Sequence, residues 1–67
     1  MAFKNIEAER ARNGMTKESF ASQIGVTTKT YYNWLNGTNP IPSTALIKMS
    51  DILHVSIDYL LGREKEE

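Results

Sequence analysis

The chain is interrupted too often for any element to run long. Asn13-Gly14, Gly25, Asn36-Gly37, Asn39-Pro40 with Pro42, and Gly62 cut it into segments about one helix long. No segment alternates apolar and polar residues in a sustained way, so strands are not expected. Hydrophobic residues make up 40% of the chain, enough for a core and too many for wholesale disorder. With 67 residues there is room for one small domain of modest stability, since a chain of this size buries only about 60% of its unfolded surface. It has no Cys and one His, so neither a disulfide framework nor a structural zinc site compensates. The expected fold is all-α, a compact bundle of five helices.

The first segment, about 3–13, places Phe3 and Ile6 on one face with Ala8 and Ala11 close by. Asn13-Gly14 ends it, because both residues tolerate the left-handed conformation common at helix C-termini. Thr16 is an N-cap for a second helix, about 17–24, with Phe20, Ala21 and Ile24 apolar and Gly25 as its stop. Thr27 caps a third, about 28–36, in which Tyr31, Trp34 and Leu35 face inward. A fourth helix starts near Ser43. Its inner stripe is read as Leu46, Met49, Ser50 and Leu53, flanked by Ile47 and Ile52. His54 falls where a left-handed C-terminal residue is expected, a conformation His accepts more readily than most non-glycine residues. Ser56 caps a short fifth helix over 57–61, and Gly62 ends it. The domain is read as 1–62, with 63–67 a charged tail that frays.

Function concentrates in residues 17–36. Two helices joined by the three-residue turn Gly25-Val26-Thr27 have the arithmetic of a helix-turn-helix. Ala21 is small where the two helices would approach closest, and Val26 and Tyr31 can plug the angle between them. On the outer side of the third helix, Thr28, Lys29, Tyr32, Asn33 and Asn36 form one stripe, and every member can hydrogen-bond. A DNA major groove, about 12 Å wide, admits such a helix. Lys donates to guanine, Asn pairs with adenine, and a Thr methyl or Tyr ring meets the thymine methyl.

Met15-Thr16-Lys17-Glu18-Ser19-Phe20-Ala21-Ser22-Gln23-Ile24-Gly25-Val26-Thr27 resembles the second helix and turn of the phage-repressor-like helix-turn-helix family (lambda repressor and Cro type, also called XRE). Trp34-Leu35-Asn36-Gly37, Leu46-Ile47-Lys48-Met49 and Val55-Ser56-Ile57-Asp58-Tyr59-Leu60-Leu61-Gly62 resemble later blocks of the same family. The likeness runs over about 3–62. It implies a transcription regulator that binds double-stranded DNA, with the third helix in the major groove and two copies on two-fold-related half-sites. By position it implies base contacts from Thr28, Lys29, Tyr32 and Asn33. Phosphate contacts are implied for Lys17, Thr27, Asn36, Thr38 and Arg10.

The sequence departs from the family at several positions. Lys17 stands where Gln is common, which keeps a phosphate contact but replaces a neutral hydrogen-bonder that braces the third helix. Leu35 stands where a Glu often pairs with an Arg matching Arg10, so Arg10 is open to solvent, Glu7 or phosphate. The loop Thr38-Asn39-Pro40-Ile41-Pro42 lacks basic residues. A dimer surface is expected around Pro40, Ile57 and Tyr59, with Tyr59 the exposed anchor and Leu60 in the core.

The formal net charge is zero, unusual for a nucleic-acid binder. It is unevenly spread. Residues 1–37 carry Lys4, Arg10, Arg12, Lys17 and Lys29 against Glu7, Glu9 and Glu18, and residues 38–67 carry the opposite excess. An anionic partner should therefore meet the N-terminal half, with modest electrostatic affinity. The alternative is a protein-interaction module of the same fold, antitoxin-like, with weak or no DNA binding. An enzyme is not expected: there is no phosphate-cradling glycine loop, and His54 has no visible nucleophile or metal partner. Glu7 and Glu9, two apart on a helix, point in different directions. No cofactor, metal or small-molecule ligand is implied. No apolar run approaches the roughly 20 residues needed to cross a bilayer, and the N-terminus is charged where a signal peptide is apolar. A cytoplasmic protein of a bacterium or phage is expected, and the Asn36-Gly37-Thr38 glycosylation pattern is read as coincidence.

Overall fold

The computed structural model describes residues 3–63, which form α1 (Lys4–Arg12), α2 (Lys17–Ile24), α3 (Thr28–Leu35), α4 (Ser43–Leu53) and α5 (Ile57–Leu60), with no strand among the described residues. The helix starts follow side-chain chemistry. Thr16 accepts from the Ser19 amide at 3.0 Å, Thr27 from the Thr30 amide at 3.2 Å, and Ser56 from the Tyr59 amide at 3.0 Å. Each hydroxyl thus satisfies one of the amides a helix leaves unpaired at its start. Gly25 ends α2 at φ 96°, and the Val26 amide reaches back to the Ala21 carbonyl at 3.0 Å. This is a Schellman closure, which needs a left-handed residue at that point. His54 adopts the left-handed conformation itself, at φ 58° and ψ 42°. Of the pair after α1, only Gly14 is left-handed; Asn13 stays at φ −88°.

The five helices share one core. Ile6, Phe20, Tyr31, Leu35, Met49 and Leu60 are wholly enclosed, and Ala21, Ile24, Trp34, Ala45 and Leu53 nearly so. Phe20 and Tyr31 meet edge to face with ring centroids 5.6 Å apart, the arrangement that ring quadrupoles favour. Polar ties join helices distant in sequence. Asn5 donates to the Tyr59 carbonyl at 2.8 Å, and the Lys48 ammonium donates to the Ile24 carbonyl at the end of α2, at 3.3 Å. The Ser50 hydroxyl donates to the Val55 carbonyl at 2.5 Å and closes the turn from α4 to α5.

Three sequence expectations change. The inner face of α4 is Ala45, Met49 and Leu53; Leu46 and Ser50 are half-buried and Ile47 is 52% exposed. The helix turns Ala45 inward in place of Leu46, where it lines a cleft with Ile24, Val26 and Trp34. On α1, Ala8 and Ala11 are exposed, and Glu9 is buried with Ile6 instead. Tyr59 is not an exposed anchor. It is half-buried against the core, and its hydroxyl donates to Glu9 at 3.2 Å. Leu60 is in the core, as expected. Of the expected tail, Arg63 is exposed, and 64–67 lie outside the described residues. No helix of the described chain is long and apolar enough to cross a membrane.

Candidate nucleic-acid interface

The unit α2–turn–α3 gives the recognition stripe its backing. Tyr31, Trp34 and Leu35 sink one side of α3 into the core, so the opposite side must face out. That side carries Lys29, Tyr32 and Asn36 exposed, with Thr28 and Asn33 half-buried at its shoulders. The side chains of Thr28, Lys29, Asn33 and Asn36 make no hydrogen bond to other described residues, so their donors and acceptors are uncommitted. Past the end of α3, the amides of Thr38 and Asn39 both donate to the Asn33 carbonyl, at 2.9 and 3.3 Å. This holds exposed Asn36 and Thr38 beside the helix end. Thr27 is exposed, but its hydroxyl is engaged with Thr30 through the cap.

Behind α3 lies a polar cluster centred on Glu7. Both carboxylate oxygens are doubly engaged. One faces Arg10 Nη2 at 3.0 Å and Lys17 Nζ at 3.4 Å. The other accepts from Arg10 Nε at 3.0 Å and from the Tyr31 hydroxyl at 2.5 Å. Burial pushes the Glu7 carboxyl up, but the hydrogen bonds from Arg10 and Tyr31 and the charges of Arg10 and Lys17 outweigh it. The carboxyl is held below its ordinary range. Burial first, and then the carboxylate of Glu7, pushes the Tyr31 hydroxyl far up, so it remains a proton donor. These partners come from α1, α2 and α3, so the cluster pins all three together.

The cluster answers both departures noted in the sequence. Of the three places open to Arg10, the fold takes Glu7. The guanidinium grips that carboxylate with two nitrogens and donates also to the Met15 carbonyl, and only 14% of the side chain is exposed. Arg10 is therefore committed inward, and the expectation of a phosphate contact gives way to a structural role. Lys17 reaches α3 by a means other than an amide: its ammonium stands 5.8 Å from the centre of the Tyr32 ring, within cation–π range. On the far side of α1, Arg12 and Tyr59 meet the buried Glu9.

Glu7 is the residue that sequence reasoning undervalued. Its spacing to Arg10 was visible as a same-face helical pair, whereas Tyr31, 24 positions away, was not. Of the expected dimer residues, Pro40 is exposed and Ile57 and Tyr59 are half-buried. Among the described residues no group of three or more His, Asp or Glu is placed to hold a metal.

Comparison with known proteins points the same way. A family profile described as Helix-turn-helix matches residues 6–60, from α1 to the end of α5. The chain is also similar to an uncharacterized HTH-type transcriptional regulator, YqaE, of Bacillus subtilis (strain 168), at 33% identity over 67 residues. That alignment takes in 100% of this chain and 58% of the relative, so the chain spans little more than half the length of the curated relative it matches.

Proposed function

Since this chain belongs to the helix-turn-helix family, of the phage-repressor-like type its motifs resemble, we propose that it is a DNA-binding transcriptional regulator that reads a specific duplex through α3. The observation that carries the reading is the outer face of α3: a row of uncommitted polar side chains on a helix pinned from behind by Tyr31, Trp34 and Leu35. Thr28, Lys29, Tyr32 and Asn33 read base edges in the major groove. Lys17, Thr27, Asn36 and Thr38 hold the phosphates that set register. Two copies, joined near Pro40, Ile57 and Tyr59, place their α3 helices about 34 Å apart on a palindromic site. Such a regulator works in the cytoplasm of its host.

A second reading, a protein-interaction module of the same fold, is favoured by one observation. Arg10, Arg12 and Lys17, three of the five cations in residues 1–37, are already paired with Glu7 or Glu9. Selection of bound duplexes from a random library separates the two. A palindrome with one-turn spacing, bound in a salt-dependent manner, supports the regulator. No enrichment, and no salt dependence of whatever binding remains, supports the interaction module. On a selected site, Asn33→Ala should lose about 1–3 kcal/mol at one base position and relax preference there. An equal loss on every duplex would remove Asn33 from the base readers.

A further inference from the structure

We infer that Glu7, which is remote from the outer face of α3, is a positioning residue for recognition: it anchors Lys17 against the Tyr32 ring and partly offsets the charge that Lys17 presents to phosphate. The inference rests on the DNA-binding reading above and adds to it a residue that touches no DNA. Glu7 reaches α3 by two routes. Directly, it accepts from the Tyr31 hydroxyl at 2.5 Å, on the buried side. Through Lys17, 3.4 Å from the carboxylate and 5.8 Å from the ring centre, it reaches Tyr32, which is 43% exposed among the base-facing residues. A lysine left to itself samples many rotamers around a strongly hydrated ammonium. With one oxygen of Glu7 holding that ammonium, its side chain is 29% exposed, and the ring beneath it is steadied from one side.

The same contact has an electrostatic consequence. A lysine paired with a carboxylate neutralises phosphate less well than a free one, and non-specific affinity comes from phosphate neutralisation. Glu7 therefore weakens attraction to any duplex while sharpening discrimination at the base pair that Tyr32 meets. Arg10 shares the carboxylate but is committed to the Met15 carbonyl as well, so Lys17 is the cation that Glu7 releases when its charge is removed.

The experiment compares Glu7→Gln and Lys17→Ala with the wild-type chain. It uses a duplex selected by the wild type, with single-base variants of it and a series of salt concentrations. Tyr32→Leu identifies the base pair concerned. Both variants should lose about two- to fivefold discrimination at that base pair, the worth of one exposed cation–π contact. They should move the salt slope in opposite directions, each by up to about 1: steeper for Glu7→Gln, shallower for Lys17→Ala. A merely structural role for Glu7 would not produce a shared loss with opposed slopes. Should Glu7→Gln fail to fold, as judged by its thermal transition, Lys17→Ala decides alone: unchanged discrimination at the Tyr32 base pair overturns the inference. Unchanged discrimination or a shallower slope in a folded Glu7→Gln overturns it as well. A wild-type chain that selects no duplex sinks the DNA-binding reading, and this inference with it; a selected duplex indifferent to both variants sinks the inference alone.

Discussion

Helices α3 and α4 each bury three residues, yet they are specified in different ways. In α3 the buried set is Tyr31, Trp34 and Leu35, two of them aromatic, and the opposite side is polar or amphipathic throughout. Only one rotation about the helix axis buries the rings and solvates the rest. In α4, Ala45, Leu46, Ile47, Met49, Ile52 and Leu53 run most of the way round. Several rotations bury similar apolar area, and the one adopted leaves Ile47 half in water. The starts differ as well. Thr27 caps α3 with its side chain, whereas α4 follows Pro42 with no side-chain cap. The Pro42 carbonyl accepts from the Ala45 and Leu46 amides at 3.0 and 3.1 Å instead. Amphipathic contrast, more than total hydrophobicity, makes a helix orientation readable.

The largest effect is expected of Trp34→Ala. It should destabilise the domain by about 3–5 kcal/mol, enough to leave a chain of this size largely unfolded; circular dichroism against urea checks it, and a mild effect would mean the α3 rings do not fix the orientation. Next in size is Thr27→Ala, which should remove about 1 kcal/mol through loss of the cap. The matching change before α4 has no hydroxyl to remove, and equal stability of Thr27→Ala and wild type in the same titration would erase the contrast between the two starts. Smaller again is Ile47→Ala on the exposed side of α4, expected to stay within about 0.5 kcal/mol. A cost of several kcal/mol there would mean that Ile47 packs inward, against the rotation described.

The last effect is independent of pH near neutrality, appears only in acid, and belongs to the cluster beneath α3. Folding lowers the pKa of Glu7 below its ordinary value of 4.5, so the group contributes stability above that value and loses it as pH falls through the lowered one. Stability of the wild type relative to Glu7→Gln should therefore be constant near neutrality and shrink in acid. Unfolding midpoints of the two proteins from pH 7 down to 3 would show it, and parallel acid limbs would deny the cluster its role under α3.

The helix ends and the two sides of α3 were legible residue by residue. Thr16, Thr27 and Ser56 cap, Gly25 and His54 turn left-handed, and the sides of α3 divide as read. Each of these depends on partners within about one helical turn, which the order of residues already supplies. The rotation of α4, the inward pull on Tyr59 and the capture of Arg10 and Lys17 by Glu7 were not legible. Their partners lie across the fold: Glu7 is 24 positions from Tyr31, and Glu9 is 50 from Tyr59. The same difference in range separates the two parts of the site. Sequence set which side chains α3 turns to solvent, because helical periodicity and bulk decide that locally. Tertiary structure decided which cations remain free to meet an anion, because a charge takes the partner that packing brings nearest and shields from water.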